Sequence, residues 1–336
     1  MGIVKKIARN IVFPTLMKVG ADRLIRSASR NTCLNVMYHG VVHKDSTYFS
    51  PRHITSTQFE AHLKYFRKHF DVISMEEAFR RMQHHVPFER KTITVSFDDG
   101  FQNNLTHALP ILEKYQIPTT IFVSGVCVDD EPRDYLWSEV SAALNYFHPH
   151  AIIASDGFSF RHGVDASGLR LNDWIKRLPY DRREQVLNEL INEYDLDVQL
   201  RQLPEEIWKL LTKEEVIMLA NSSVIEIGSH GHNHYNLAEI EVERASEELT
   251  KSKRLLESAI QRPVNSIAYP DGSYNAGIKD LAEQAGYERQ LAVSYKLAVD
   301  QQDKRIQDRH GIASTTTFES NMLFLNLAFR KKGSRG

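Results

Sequence analysis

The chain has 336 residues, a quarter of them charged, and a formal net charge of −1. That length accommodates one large α/β domain with a sizeable core, and the near-neutral balance argues against nucleic acid as a partner. Cys33 and Cys127 are the only cysteines, which excludes a disulfide framework and a Cys-x-x-Cys metal site, so they read as packed thiols in a reducing compartment.

Residues 1–30 intersperse Ile3, Ile7, Ile11, Leu16, Leu24 and Ile25 with Lys5, Lys6, Arg9, Lys18, Arg23, Arg26 and Arg30. Pro14 and Lys18 interrupt the apolar run at 11–13, so no signal-type apolar region is expected. No window approaches the roughly 18 uninterrupted apolar residues of a membrane span. The segment is expected to be a basic amphipathic arm, lying on an anionic membrane surface or packed on the outside of the main domain. The expected location is cytoplasmic, peripheral at the inner face of the membrane.

Residues 31–336 are expected to form the main domain. Residues 34–40 read as its first strand and 41–51 as polar loop. Thr57 and Glu60 match a capping box for a helix over 57–70, with Phe59, Leu63, Phe66 and Phe70 on one face. Residues 72–73 are extended, and Ser74 with Glu77 opens a second helix through 82. A strand over 93–97, a helix over 103–115 containing Pro110, and a strand over 119–123 follow. This alternation of strand and helix argues for parallel pairing.

The alternation lapses between 129 and 211. Helical patterns at 137–147 and 181–194 flank a strand-turn-strand at 152–168 with Asp156-Gly157 as its hairpin signal. This reads as an insertion shaping a groove over the main fold, with a separately folding subdomain as the rival reading. Order resumes with a helix over 212–221 capped by Thr212 and Glu215, then strands at 224–228, 264–269 and 291–294, with helices over 242–260 and 276–285 between them.

The polar groups sort themselves along this framework. Two adjacent carboxylates, Asp98 and Asp99, end the strand in Ser96-Phe97-Asp98-Asp99-Gly100, a placement that costs stability unless something uses the charge. His230 and His234 follow the strand at 224–228. One carboxylate and two imidazoles suit zinc or a similar divalent ion with open positions for water and substrate. His39 and the Tyr269-Pro270-Asp271-Gly272 turn also follow predicted strands. In parallel α/β barrels that face carries the active site. A lone Asp-Asp is more often a turn or a helix start, and a lone His pair a polar loop; the combination carries the functional reading.

With Ser-Phe-Asp-Asp-Gly, then His-x-x-x-His, then Tyr-Pro-Asp-Gly, the chain resembles the polysaccharide deacetylase family, the NodB-homology or family 4 carbohydrate esterases, over about residues 34–312 without the insertion. Val36-Met37-Tyr38-His39 is similar to the branch acting on poly-N-acetylglucosamine and other surface-polysaccharide intermediates. The resemblance implies an α/β fold, a distorted (β/α) barrel of seven or eight parallel strands, and removal of acetyl from an N-acetylhexosamine in a polysaccharide or lipid-linked glycan precursor. It implies Asp99, His230 and His234 as ligands of one divalent metal ion, zinc first, with cobalt, nickel or manganese as alternatives. Asp98 is implied as general base, free to take a proton because its neighbour's charge is spent on the metal. His39, Tyr269, Pro270 and Asp271 are expected to line the substrate site, His39 having a buried structural histidine as its rival reading. Trp137, Trp174 and Trp208 are sugar-stacking candidates whose default reading is packing.

Three positions depart from the family pattern. Gly231 stands where a hydroxyl residue is usual, and His232 beside it reads as a solvent-facing loop histidine rather than an extra ligand. Ala268 replaces the arginine that holds the catalytic aspartate, leaving Arg309 as the substitute. His310 is the available general acid, yet adjacent strand residues face opposite ways, so Arg309 and His310 cannot both point inward. Rival functions are O-deacetylation or deformylation on the same scaffold, and a non-catalytic glycan- or membrane-binding protein, against which the retention of Asp98, Asp99, His230 and His234 argues.

Overall fold

The computed structural model describes residues 12–18, 20–27 and 31–333. In chain order the strands are β1 Cys33–Tyr38, β2 Gly40–Val42, β3 His53–Thr55, β4 Asp71–Val72, β5 Thr92–Phe97, β6 Thr119–Val123, β7 Ile152–Ser155, β8 Phe158–Arg161, β9 Ile225–Ser229, β10 Ser266–Ala268, β11 Arg289–Ala292 and β12 Ile306–Gly311. Seven of them close into a barrel in the order β1, β12, β11, β10, β9, β6, β5, every pairing parallel. Closure is continuous, with β1 and β5 in register from Cys33↔Thr92 to Tyr38↔Phe97. The short β4 pairs with the start of β5, and β6 takes over further along the same strand.

Alternation along the strands divides their side chains between an apolar outer layer and a mixed interior. Val36, Tyr38, Val95, Phe97, Ile121 and Ile227 pack outward beneath the surrounding helices, joined there by Phe59, Leu63, Leu112, Leu249 and Leu256. Inside, Phe122, Ala268 and Leu291 meet Met75 and Phe79 of the helix Met75–Gln83, beside the polar pairs Thr94–Asn35 and Arg289–Glu226. Gly228 makes room for this packing, since a Cβ there would lie 2.5 Å from the Phe122 ring.

Helix starts follow tertiary context as well as local pattern. β3 pairs with β2, which makes Thr55 the last extended residue, and the capping box of the helix Ser56–His69 is Thr55 with Gln58 rather than Thr57 with Glu60. Glu60 instead accepts hydrogen bonds from Lys114 and Tyr115. Ser74 caps as expected, but Glu77 binds Arg80 and Arg81 with its carboxylate. The Thr212–Glu215 box is present. The expected helix over 103–115 begins as a wide π turn, Asn104–Ala108, before the α-helix Leu109–Tyr115, because Pro110 brings no N–H to the regular ladder.

The insertion has its own apolar cluster, built on Trp137, Leu144, Phe160, Trp174, Leu190 and Trp208, which continues onto Val42, Phe49 and Tyr235 of the barrel loops. Its hairpin is β7–β8, turning at Asp156 and Gly157, both at positive φ as a two-residue primed turn requires. The helices Phe13–Lys18 and Ala21–Ser27 lie against Phe318–Gly333; the Phe13 and Phe324 rings meet edge-on at 5.3 Å, and Arg26 donates to the Tyr65 hydroxyl. The arm residues Ile3, Lys5, Lys6, Ile7, Arg9, Ile11 and Arg30 fall outside the described residues. Among the described residues no helix is long and apolar enough to cross a membrane.

His62 is buried between Phe66 and Phe318, and burial lowers its pKa to about 3. It is neutral in the fold but protonates near pH 6.5 once unfolded, so its contribution is complete above pH 6.5 and is lost as pH falls toward about 3. Between pH 6.5 and 5 the loss is about 2 kcal/mol. Urea unfolding at pH 7 and pH 5 is expected to show a pH dependence smaller by that amount in His62→Gln; an unchanged dependence would refute the assignment.

Candidate metal and catalytic centre

β5 delivers both carboxylates to one barrel mouth. The Asp98 N–H donates to the Tyr38 carbonyl at 3.0 Å, continuing the β1–β5 ladder, and the backbone then turns sharply through Asp99 at φ 78° and Gly100 at φ 86°. A left-handed aspartate costs of order 1–3 kcal/mol and is held only where its surroundings over-determine it. The turn separates the two side chains into different environments.

Asp98 is bound by Arg309, which arrives on β12 and donates from Nη1 to Oδ1 at 2.5 Å and from Nη2 to Oδ2 at 2.7 Å. The guanidinium also lies 5.5 Å from the centre of the Phe122 ring below it. Burial alone would push the Asp98 carboxyl up, but Arg309 and His230 hold it below the ordinary range, so it stays ionised. Arg309 thus occupies the place left open by Ala268. His310 accordingly faces the other way, into a separate cavity beside Leu34 and Ala328, and is not brought to the site.

Asp99 faces the histidines. Its Oδ1 lies 3.1 Å from His234 Nε2 and 3.4 Å from His230 Nε2, and the three ligand atoms fall within 4.8 Å of one another. Oδ1 is buried with no hydrogen-bond partner. His230 Nδ1 sits 2.7 Å from the Ala268 carbonyl, which fixes the proton there and turns the Nε2 lone pair inward. Buried acceptors converging on one point fit a cation, and this donor set fits zinc or a similar divalent ion.

The loop carrying the histidines is braced from three sides. Its backbone pairs with the segment after β6, through Gly125 N–H to the Gly231 carbonyl and Val126 N–H to the His232 carbonyl. Glu248, buried on the helix Val242–Ile260, accepts from the backbone N–H groups of His232 and Asn233 and from the Asn233 side chain. Trp137 of the insertion donates from Nε1 to the His234 carbonyl at 2.8 Å, so that tryptophan packs and positions the loop. Gly231 has φ 71°, a conformation strained for the family's serine or threonine. His232 is not the solvent-facing residue expected, nor a ligand of the Asp99 cluster: it is buried, with Nε2 3.0 Å from Asp129, and burial lowers its pKa to about 4.

A cavity of about 540 Å³ opens over the centre. His39 lines it, its imidazole kept neutral by burial against the pull of Asp99 and Asp98. Tyr269 borders it, but the Tyr269 hydroxyl turns away to Gln290 at 2.8 Å. Pro270 packs toward Gly231, and Asp271 reaches the rim to bind Lys176 of the insertion at 2.8 Å. Trp174 and Trp208 belong to the insertion core. Sequence reasoning passed over Arg52, which stands beside Asp99, and Glu139, which pairs with Arg52; a lone arginine in a polar loop and a glutamate on an inserted helix carry no spacing signal.

A closed parallel barrel with carboxylates and histidines at one mouth defines an α/β protein of the NodB-like class. The chain belongs to the polysaccharide deacetylase family, whose model matches residues 85–152 and 177–289, more than half of its length. The unmatched 153–176 falls within the insertion. A putative polysaccharide deacetylase, YxkH of Bacillus subtilis (strain 168), is 20% identical over 278 residues, covering 82% of this chain and 69% of its own. Among solved structures, IcaB from Ammonifex degensii superposes with a TM-score of 0.57 at 14% identity, covering 90% of this chain and 98% of its own. The de-N-acetylase from Aggregatibacter actinomycetemcomitans gives 0.55 at 16%, covering 87% and 99%. Identities this low establish the common fold.

Removing Glu248 leaves the buried His232 N–H unsatisfied, at roughly 1–3 kcal/mol, and the half-buried Asn233 N–H without its acceptor, at less because water reaches it. Glu248→Ala is therefore expected to lower the unfolding free energy by about 2–4 kcal/mol in urea denaturation; wild-type stability would show that the loop holds without this brace.

Proposed function

We propose that the protein is a metal-dependent deacetylase that hydrolyses the N-acetyl group of an N-acetylhexosamine unit in a polysaccharide or lipid-linked glycan precursor. The observation that carries this reading is the division of labour between adjacent carboxylates: Asp98 is gripped by Arg309, whereas Asp99 faces His230 and His234 with a bare oxygen. Asp99, His230 and His234 would hold a divalent cation, zinc first, which supplies polarisation of the acyl carbonyl and acidification of water. Asp98, kept ionised by Arg309, accepts the proton of the attacking water. Arg309 fixes the carboxylate plane by its two-pronged bond, which orients the base and prevents it from becoming a further ligand. His39 and Asp271 bound the cavity in which the sugar would sit. The family's description as polysaccharide deacetylase and the naming of one superposed structure as a de-N-acetylase support this reading.

Release of acetate and free amine from N-acetylhexosamine oligomers and from lipid-linked sugars, with and without chelator, tests the reading; O-acetylated and formylated substrates measured alongside distinguish the ester and formyl alternatives. Asp98→Asn is expected to retain metal and lose at least roughly 10²-fold in turnover. Metal content in that variant equal to wild type with near-normal turnover would overturn the role of Asp98. A His230→Ala, His234→Ala double variant is expected to lose the metal, and unchanged stoichiometry would overturn the ligand set.

We further propose that the arm attaches reversibly to anionic membrane. Leu24 is 73% exposed, and Val12, Leu16 and Arg23 are exposed as well, leaving apolar and basic side chains of the arm open to solvent. Co-sedimentation with anionic vesicles is expected to weaken with salt and to fall in Leu16→Ser, Leu24→Ser; equal sedimentation of variant and wild type would make the arm purely structural.

A further inference from the structure

Two cations and two carboxylates crowd the site beyond the expected ligands, and their pairing has a definite arithmetic. Arg309 offsets Asp98. Arg52, on the loop before β3, approaches Asp99 Oδ2 to 3.6 Å with Nη1, within reach of its charge but too far for a hydrogen bond. Its Nη2 meets Glu139, which is wholly buried on the insertion helix Trp137–Phe147. Ser138 ties the pair, accepting from Arg52 Nη1 at 3.0 Å and donating to Glu139 Oε2 at 3.1 Å, while Ser50 accepts from Arg52 Nε at 3.0 Å. The guanidinium lies 5.2 Å from the centre of the Phe101 ring. At the rim Lys176 and Asp271 cancel each other. Once these partners are matched, Asp99, beside His230 and His234, is the carboxylate of the site with no hydrogen-bonded cation, because Arg52 is held back at 3.6 Å.

We propose that Glu139 is a charge-compensating positioning residue: by holding Arg52 it keeps the guanidinium from satisfying Asp99, so that Asp99 remains available to a cation. This rests on the reading of Asp99, His230 and His234 as metal ligands. The insertion, through Glu139, thereby sets the affinity of a site whose ligands all belong to the barrel. Without Glu139, Arg52 becomes Asp99's counter-ion and competes with the metal. Without both residues the competition disappears. A merely structural pair would give the opposite pattern, with the double variant no better than the single one.

Apo protein of the full chain, titrated with Co²⁺ in competition with a chromophoric chelator, reads this directly without any substrate. Wild type is expected to bind one Co²⁺, and Glu139→Gln to bind it at least tenfold more weakly, the size seen when groups supporting metal ligands are altered. Arg52→Met, Glu139→Gln is expected to return to within threefold of wild type. Ser138→Ala, which removes only a half-buried hydroxyl tether, is expected to weaken binding threefold or more and serves if Glu139→Gln fails to fold. Unchanged affinity in Glu139→Gln, or in Ser138→Ala where that variant stands in, overturns the proposal, as does a double variant as weak as the single one. Wild-type protein that binds no Co²⁺, or binds it equally after His230→Ala and His234→Ala, defeats the ligand assignment itself.

Discussion

Two adjacent buried carboxylates at the end of one strand are the constraint around which this structure is arranged. Two like charges out of water are costly, and each must be compensated separately. Asp98 receives Arg309, 211 residues away in sequence, and Asp99 faces two imidazoles on the loop after β9 with its Oδ1 left open to a cation. Barrel closure makes both possible: β1 pairs with β5 on one side and β12 on the other, so the first, fifth and last strands open onto one mouth. The left-handed turn at Asp99 and Gly100 then assigns each carboxylate a different neighbour.

The insertion acts as part of this centre. Trp137 holds the His234 carbonyl, Glu139 holds Arg52, and Lys176 reaches Asp271 at the rim. Arg183 ties the insertion together, a buried guanidinium that donates to the carbonyls of Ile175, Lys176 and Leu178 and lies 4.4 Å from the centre of the Tyr235 ring. One cation thus fixes the segment bearing Lys176 and packs it on the loop that follows the histidines. The region in which the family model is interrupted, 153–176, ends at the residue that contacts the rim.

Sequence reasoning reached far where chemistry is local. Alternation of strand and helix, the capping pair at Thr212 and Glu215, the Asp156-Gly157 turn and the positions of Asp98, Asp99, His230 and His234 are all legible from neighbours within a few residues, because strand period and turn geometry are short-range properties. It fell short where a distant strand or charge makes the choice. Thr55 rather than Thr57 starts its helix because β2 extends the chain that far.

Which of Arg309 and His310 enters the site depends on the register of β12 against β1, Asn35↔Arg309, which turns Arg309 inward with Asn35 and Thr94, from where its long side chain reaches Asp98, and turns His310 out. Arg52 and Glu139 carry no motif, and they became visible as a pair only when the insertion packed across the barrel mouth. The sequence by itself determined the alternating α/β framework and the set of groups suited to bind a cation, since both follow from residue type and short spacing. Tertiary structure alone decided which charges meet, because a buried charge takes its partner from whatever the closed barrel brings within a few ångströms, without regard to distance along the chain.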